Sequence, residues 1–204
     1  MAANENQTIT LASYESSVPQ YTEGTPSEPS DELKDFMQKF LDFSPAPAAK
    51  DTEIMEIGSA VGRDADFIEG LGYKVERTDV VLEFLEHQQE KGSEASFFDA
   101  LTSMRGKQYD VIYAMAVFHH FNHEQFLKAI NNVHLHLKDN GVFAMAIKRG
   151  VGESYSEHKI GKPRYYLRWT EEQLIEVFGQ NNFVVQDIVP AIHKEWNMCI
   201  VTKA

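Results

Sequence analysis

A single cysteine, Cys199, stands in the 204-residue chain. No intramolecular disulfide can form, and Met198 and Ile200 on either side of that thiol suggest an ordinary buried strand position. The sequence also lacks any run of about 18 apolar residues, the length needed to cross a bilayer. Its first residues, MAANENQTITLASYESS, have neither a basic start nor an apolar stretch that would direct export. These absences lead to the expectation of a cytoplasmic protein with no membrane partner. Positive charge is scarce too, with 19 Lys and Arg against 31 Asp and Glu and a formal net charge of -12. A chain that acidic is repelled by polyphosphate backbones, so nucleic acid is an unlikely partner. What basic charge exists is concentrated in Lys148, Arg149, Lys159, Lys162, Arg164 and Arg168. That stretch reads either as a solvated loop or as an anion-attracting rim. The length suits one domain with a sizeable core.

Residues 1–30 are polar and punctuated by Pro19, Pro26 and Pro29, which marks them as a disordered leader or a lid. From Ser30, a plausible N-cap, Leu33, Phe36, Met37, Phe40 and Leu41 recur at helical spacing. After the connector SPAPAAKD, strand signals at about 53–57, 74–79, 95–98, 110–115 and 141–148 alternate with helix signals at about 64–71, 82–91 and 123–137. Alternation of this kind implies a parallel sheet covered on both faces. Asn122 with Gln125 makes a capping box, and a last helix begins after Thr170, with Gln173 three residues on. Two final strands, FVVQDIVPAI and NMCIVTKA, are separated only by HKEW and must pair antiparallel. Pro190 places the first of them on the outside of the sheet.

The stretch IMEIGSAVGRDADFIEG runs from a buried strand through a glycine turn into a helix, the usual cradle for a nucleotide-like ligand. A dinucleotide fingerprint would place its second and third glycines where Ala60 and Arg63 stand. Ala60 and Arg63 therefore argue against a pyrophosphate at this turn. Asp79 closes the second strand about 20 residues after the turn, where an acid can accept from both ribose hydroxyls, with Val80 beside it.

These residues resemble the class I S-adenosylmethionine-dependent methyltransferases from about Glu53 to Ala204. Glu56, Gly58 and Gly62 match that family's opening motif, and Ala60 replaces its commoner glycine. The resemblance implies an α/β fold, a Rossmann-like doubly wound seven-stranded sheet with helices on both faces and the last strand antiparallel. It further implies a methyltransferase using S-adenosyl-L-methionine, whose ammonium and sulfonium Glu56 would face and whose carboxylate Arg63 would face, and releasing S-adenosyl-L-homocysteine. In FFDA, Asp99 would accept from the adenine amine, and Ala100 would offer its amide. Asp110 matches the aspartate that opens the fourth strand, and backbone carbonyls near Ala114 and Met115 would take the methionine ammonium. His119 and His120 would face the substrate, and either has the chemistry of a general base. With His123 they lack a spaced acidic or thiolate partner, so no metal is expected.

Lys148, Glu153, Arg164 and Tyr165 are similar to a pattern in a subgroup of small bacterial-type methyltransferases of mostly unassigned substrate, which implies substrate binding. The same subgroup supplies counterparts for Tyr14 and Tyr21 as a lid over the cofactor. The expected organisation is therefore a lid or leader at 1–30 and one methyltransferase domain at 31–204. Its acceptor would be a small, anionic molecule, and its state a monomer or homodimer. Two other readings stay open. One is a nucleotide-dependent oxidoreductase, which shares Gly58 and Asp79 but wants a glycine at Arg63; the other is a non-catalytic module that binds S-adenosylmethionine.

Overall fold

The computed structural model describes residues 2–191 and 193–204. Two helices, α1 (Ala2–Glu15) and α2 (Val18–Glu23), precede α3 (Asp31–Asp42). The alternating part follows as β1 (Glu53–Ile57), α4 (Arg63–Gly70), β2 (Lys74–Asp79), α5 (Leu82–Glu90) and β3 (Ala95–Phe97). It continues through β4 (Tyr109–Met115), α6 (His123–His136) and β5 (Leu137–Lys148). A hairpin of β6 (Glu153–Ser156) and β7 (Arg164–Leu167) then precedes α7 (Glu171–Gln180), β8 (Phe183–Ala191) and β9 (Trp196–Lys203).

The main sheet has seven strands in the order β3-β2-β1-β4-β5-β9-β8. Strands β1 to β5 pair in parallel, and β9 enters antiparallel to β5, with Ala144 opposite Ile200. Pro190 lies on β8, the outer strand, where a missing N–H costs the ladder nothing. The chain winds outward from β1 to β3 and then returns to β4 on the other side of β1. The connections leaving β1 and β4 consequently diverge, opening the crevice in which sheets of this kind bind ligands.

Strand periodicity divides the core. Met55, Ile57, Ile112, Ala114, Phe143 and Met145 face one way, against Phe126 and Ile130 of α6 and Leu174 and Phe178 of α7. Their neighbours Ile54, Val111, Tyr113, Val142 and Ala144 face the other way, against Phe36, Met37 and Phe40 of α3 and Ile68 of α4. Cys199 is fully buried within the first cluster. The helix ends follow their signals: Ser30 accepts from the Leu33 amide, and both the Asn122–Gln125 and Thr170–Gln173 capping boxes form.

Two parts of the fold carry little signal in the sequence. The N-terminal residues form α1 and α2, and in α1 the fully buried positions are small hydroxyl residues, Thr10 and Ser13, while Leu11 and Tyr14 pack partly buried against Phe84. Ser13 Oγ donates to the Pro163 carbonyl at 2.7 Å, and Thr10 Oγ1 accepts from the Tyr165 amide at 3.0 Å. The second part is the β6–β7 hairpin, whose polar and basic composition reads as a loop. It pairs Tyr155 with Tyr165 and forms a two-stranded sheet of its own. This hairpin and α1 clasp one another above the C-terminal ends of the strands, with Lys162 Nζ donating to the Ser16 carbonyl at 3.0 Å. No helix among the described residues is long and apolar enough to cross a membrane.

Candidate active site

The turn after β1 needs left-handed backbone at Gly58, Ala60 and Gly62, with φ of 75°, 46° and 83°. Alanine at the middle position adopts this conformation because its surroundings hold it. Ala60 N donates to Asp79 Oδ2 at 2.8 Å, and the Ala60 carbonyl accepts from Gln88 at 2.9 Å. Asp79 Oδ1 also accepts from the Val81 amide at 2.9 Å, so this carboxylate clamps the turn as well as facing the cavity. Burial pushes its pKa up to about 6, opposed by the amides of Val81, Ala60 and Val80. A Cβ at Gly58 would lie 2.5 Å from Val117 Cγ2 on strained backbone. Gly58→Ala is accordingly expected to cost about 1–3 kcal/mol, read as a lower melting temperature of the ligand-free protein.

A cavity opens at the ends of β1, β2, β3 and β4. Tyr14, Tyr21, Asp79, Val80, Asp99 and Ala100 all line it, roofed by α1 and floored by Gly58 and Met115. Asp99 also holds its own turn, accepting from the Leu101 amide and the Thr102 hydroxyl at 2.8 Å each. A second cavity adjoins it, sharing Tyr21, Gly58, Ala60, Met115 and Ala116, and is walled by Glu56, Arg63, Asp64, Lys159 and Trp196.

Charge is concentrated in the second cavity. Glu56 is buried, and its Oε2 has no hydrogen-bond partner. Burial first, and then the Asp64 carboxylate, hold its pKa well above the usual carboxylate range, while Arg77 opposes them. The orphaned oxygen beside a cavity fits a cationic ligand group. Arg63 Nε is paired with Asp64 Oδ1 at 2.7 Å, which orients the guanidinium on the cavity wall.

The two histidines after β4 have different surroundings. His120 lines the first cavity, and its Nδ1 lies 2.7 Å from the Tyr165 carbonyl. A carbonyl only accepts, so Nδ1 carries the proton and Nε2 presents a lone pair. The Tyr14 hydroxyl, 2.9 Å away, donates to that lone pair and itself accepts from Arg164 Nη1 at 3.1 Å. Burial, aided by Arg164 and opposed by the Tyr165 carbonyl, pulls the His120 pKa down to about 4, so the ring is neutral. His119 instead stacks on Tyr166, with centroids 4.8 Å apart, and its buried Nδ1 has no partner. It lines neither cavity.

Other expected residues are dispersed. Ala114 is buried in the core and lines neither cavity. Lys148, Glu153, Arg164 and Tyr165 do not converge as one set. Alternation along β7 turns Arg164 toward Tyr14 and sends the Tyr165 hydroxyl to Glu153 on the other side. Lys148 lies over the Trp196 ring and pairs with Glu195 at 3.1 Å. Sequence reasoning did not place Lys159 and Trp196 on the wall of the second cavity. Only the basic run pointed to the first, and the turn that aims it, with φ of 78° at Lys159, has no sequence signature.

A family model described as a methyltransferase domain matches residues 29–186. The chain belongs to that family. Solved structures agree on the fold of this methyltransferase. It is similar to the glycopeptide N-methyltransferase MtfA complexed with sinefungin, at 11% identity over 86% of this chain and 95% of that one, with a TM-score of 0.69. An S-adenosylmethionine-dependent methyltransferase from Clostridium acetobutylicum ATCC 824 shares 13% identity over 86% and 93% of the two chains, at 0.68. CalS10, an amino pentose methyltransferase from Micromonospora echinaspora solved with S-adenosylmethionine, shares 13% over 89% and 93%, at 0.66. Its Rossmann-like seven-stranded architecture is thus that of the class I S-adenosylmethionine-dependent methyltransferases. No curated protein sequence matches the chain.

Proposed function

We propose that the chain holds S-adenosylmethionine across the two adjoining cavities and methylates a small molecule carrying an anionic group, with His120 as the proton acceptor. The observation that carries this reading is the division of labour between the cavities. One is largely apolar, with Asp79 and Asp99 at its wall, as adenosine requires. The other contains Glu56 and Arg63, as an amino-acid group requires. Bound S-adenosylmethionine would supply a methyl group on a sulfonium that is already a good leaving group.

The residues of the chain then have to orient the acceptor, exclude water and remove a proton where the attacking atom carries one. The α1–α2 cover excludes water. A proton leaving the acceptor passes to the Tyr14 oxygen as the phenolic proton moves to His120 Nε2. Arg164 steadies the oxygen between the two transfers. The imidazolium so formed gives its proton to solvent when the cover opens. The anionic acceptor is supported by the basic stretch of Lys148, Arg149, Lys159, Lys162, Arg164 and Arg168, in which Arg164 lines neither cavity and acts through the Tyr14 oxygen.

Thermal shift provides the direct test. S-adenosylmethionine and S-adenosylhomocysteine are expected to raise the melting temperature, and NAD to leave it unchanged. Stabilisation by NAD alone would replace this reading with that of a nucleotide-dependent oxidoreductase. Donor binding without methyl uptake by any member of a panel of anionic metabolites would favour a non-catalytic binding module.

A further inference from the structure

Lys159 sits at the tip of the β6–β7 hairpin and reaches back toward the site. Its ammonium lies 3.5 Å from the centroid of the Tyr21 ring and donates to Thr25 Oγ1 at 2.9 Å. Tyr21 and Thr25 belong to the N-terminal cover, so one side chain joins hairpin, cover and the wall of the second cavity. It has no carboxylate partner within ion-pair distance among the described residues. The charged and titratable groups facing it are Arg63 and Asp64 of α4, Glu56 of β1, Tyr21 of α2 and Arg164 of β7. Arg63 is already engaged by Asp64, so the cavity holds one paired and one unpaired cation.

We propose that Lys159 is a binding residue for the α-carboxylate of the methyl donor, closing the hairpin and the N-terminal cover over the bound ligand by a charge-assisted contact. This rests on the donor assignment above and adds to it a residue and a proton linkage. Partial burial and the charges of Arg63 and Arg164 draw the Lys159 pKa down to about 8, with Asp64 opposing them. Below that pH the ammonium is present before the ligand arrives. Above it, binding must take up a proton, so affinity falls as pH rises, by up to about tenfold per unit.

Isothermal titration calorimetry with two probes separates the possibilities. S-adenosylhomocysteine carries the carboxylate, and 5′-methylthioadenosine has the same nucleoside and thioether without the amino acid. Lys159→Met should weaken S-adenosylhomocysteine about tenfold, the loss of a charged hydrogen bond at a half-open position, and leave 5′-methylthioadenosine unchanged. Lys159→Arg should hold its affinity between pH 7 and 9, while the wild type, whose ammonium contact is worth about tenfold, loses about fivefold relative to it. The amine of the probe titrates equally against both proteins, so the difference belongs to residue 159. Equal affinity of Lys159→Met and wild type for S-adenosylhomocysteine, or equal losses for both probes, would overturn the inference. Failure of wild type to bind S-adenosylhomocysteine would instead overturn the donor assignment on which it rests. Lys159→Met also loses the contacts to Tyr21 and Thr25, so its melting temperature is expected to fall modestly, and unchanged 5′-methylthioadenosine binding shows that the variant folds.

Discussion

Replacing His120 by alanine is expected to lower turnover at saturating donor by about 10²–10⁴-fold, the range for loss of a positioned acid or base, while S-adenosylhomocysteine binding changes little. Tyr14→Phe should act in the same direction, because it removes the hydroxyl that connects Nε2 to the cavity and keeps the ring. His119→Ala should retain most of the turnover of the folded protein, since that ring packs on Tyr166 and lines neither cavity. The pH profile carries a sign. Only the neutral ring of His120 accepts a proton, and burial draws its pKa down to about 4. The histidine therefore imposes no fall in rate between pH 8 and 5, and its loss of function begins only as pH approaches 4. Single-turnover rates measured across that range check the assignment. Equal turnover by wild type and His120→Ala would remove the base role.

Glu56→Gln is expected to move two properties in opposite directions. S-adenosylhomocysteine affinity should fall by roughly 10–100-fold, the equivalent of one hydrogen bond to a charged group. The ligand-free protein, however, should melt higher than wild type at pH 8. The folded pKa of Glu56 is raised, first by burial and then by Asp64, so the native state retains a proton that the unfolded chain has released. Stability then declines as pH climbs from the ordinary carboxylate value toward the folded one. Glutamine does not titrate and removes that decline. Melting curves of wild type and variant at pH 5 and 8 would show the gap opening toward the alkaline side. A constant gap would mean that Glu56 is already fully ionised in the empty protein.

The sheet was legible because its residues obey a single periodicity. Ile54 and Met55 lie on opposite faces, as do Val111 and Ile112, and each has a hydrophobic cluster waiting for it. The antiparallel end was legible for a different reason: the four residues between the last two apolar runs leave no length for a crossover. The glycine turn, Asp79 and Asp99 could be placed because they follow strand ends, and strand ends are what periodicity reveals. The histidine pair could be found but not resolved. The two rings lie 4.1 Å apart and both meet Tyr166, so only the three-dimensional structure shows that His120 alone reaches Tyr14 and the cavity. The cover and the hairpin escaped because they are joined by bonds to backbone, such as Ser13 to Pro163, and the cover's apolar contacts are few and irregularly spaced: Leu11, Tyr14, Val18 and Tyr21. Among the substrate residues the resemblance grouped four positions, but strand alternation separates neighbours such as Arg164 and Tyr165 whatever their shared motif.

Tyr14 is carried by α1 and His120 by the sheet side of the cavity. Under the proposed mechanism, lifting the helix to admit ligands pulls the proton relay apart in the same motion. An exposed mouth and an assembled base are then mutually exclusive, which works as an interlock: solvent can reach the reactive methyl group only while the device that would activate a nucleophile is disconnected.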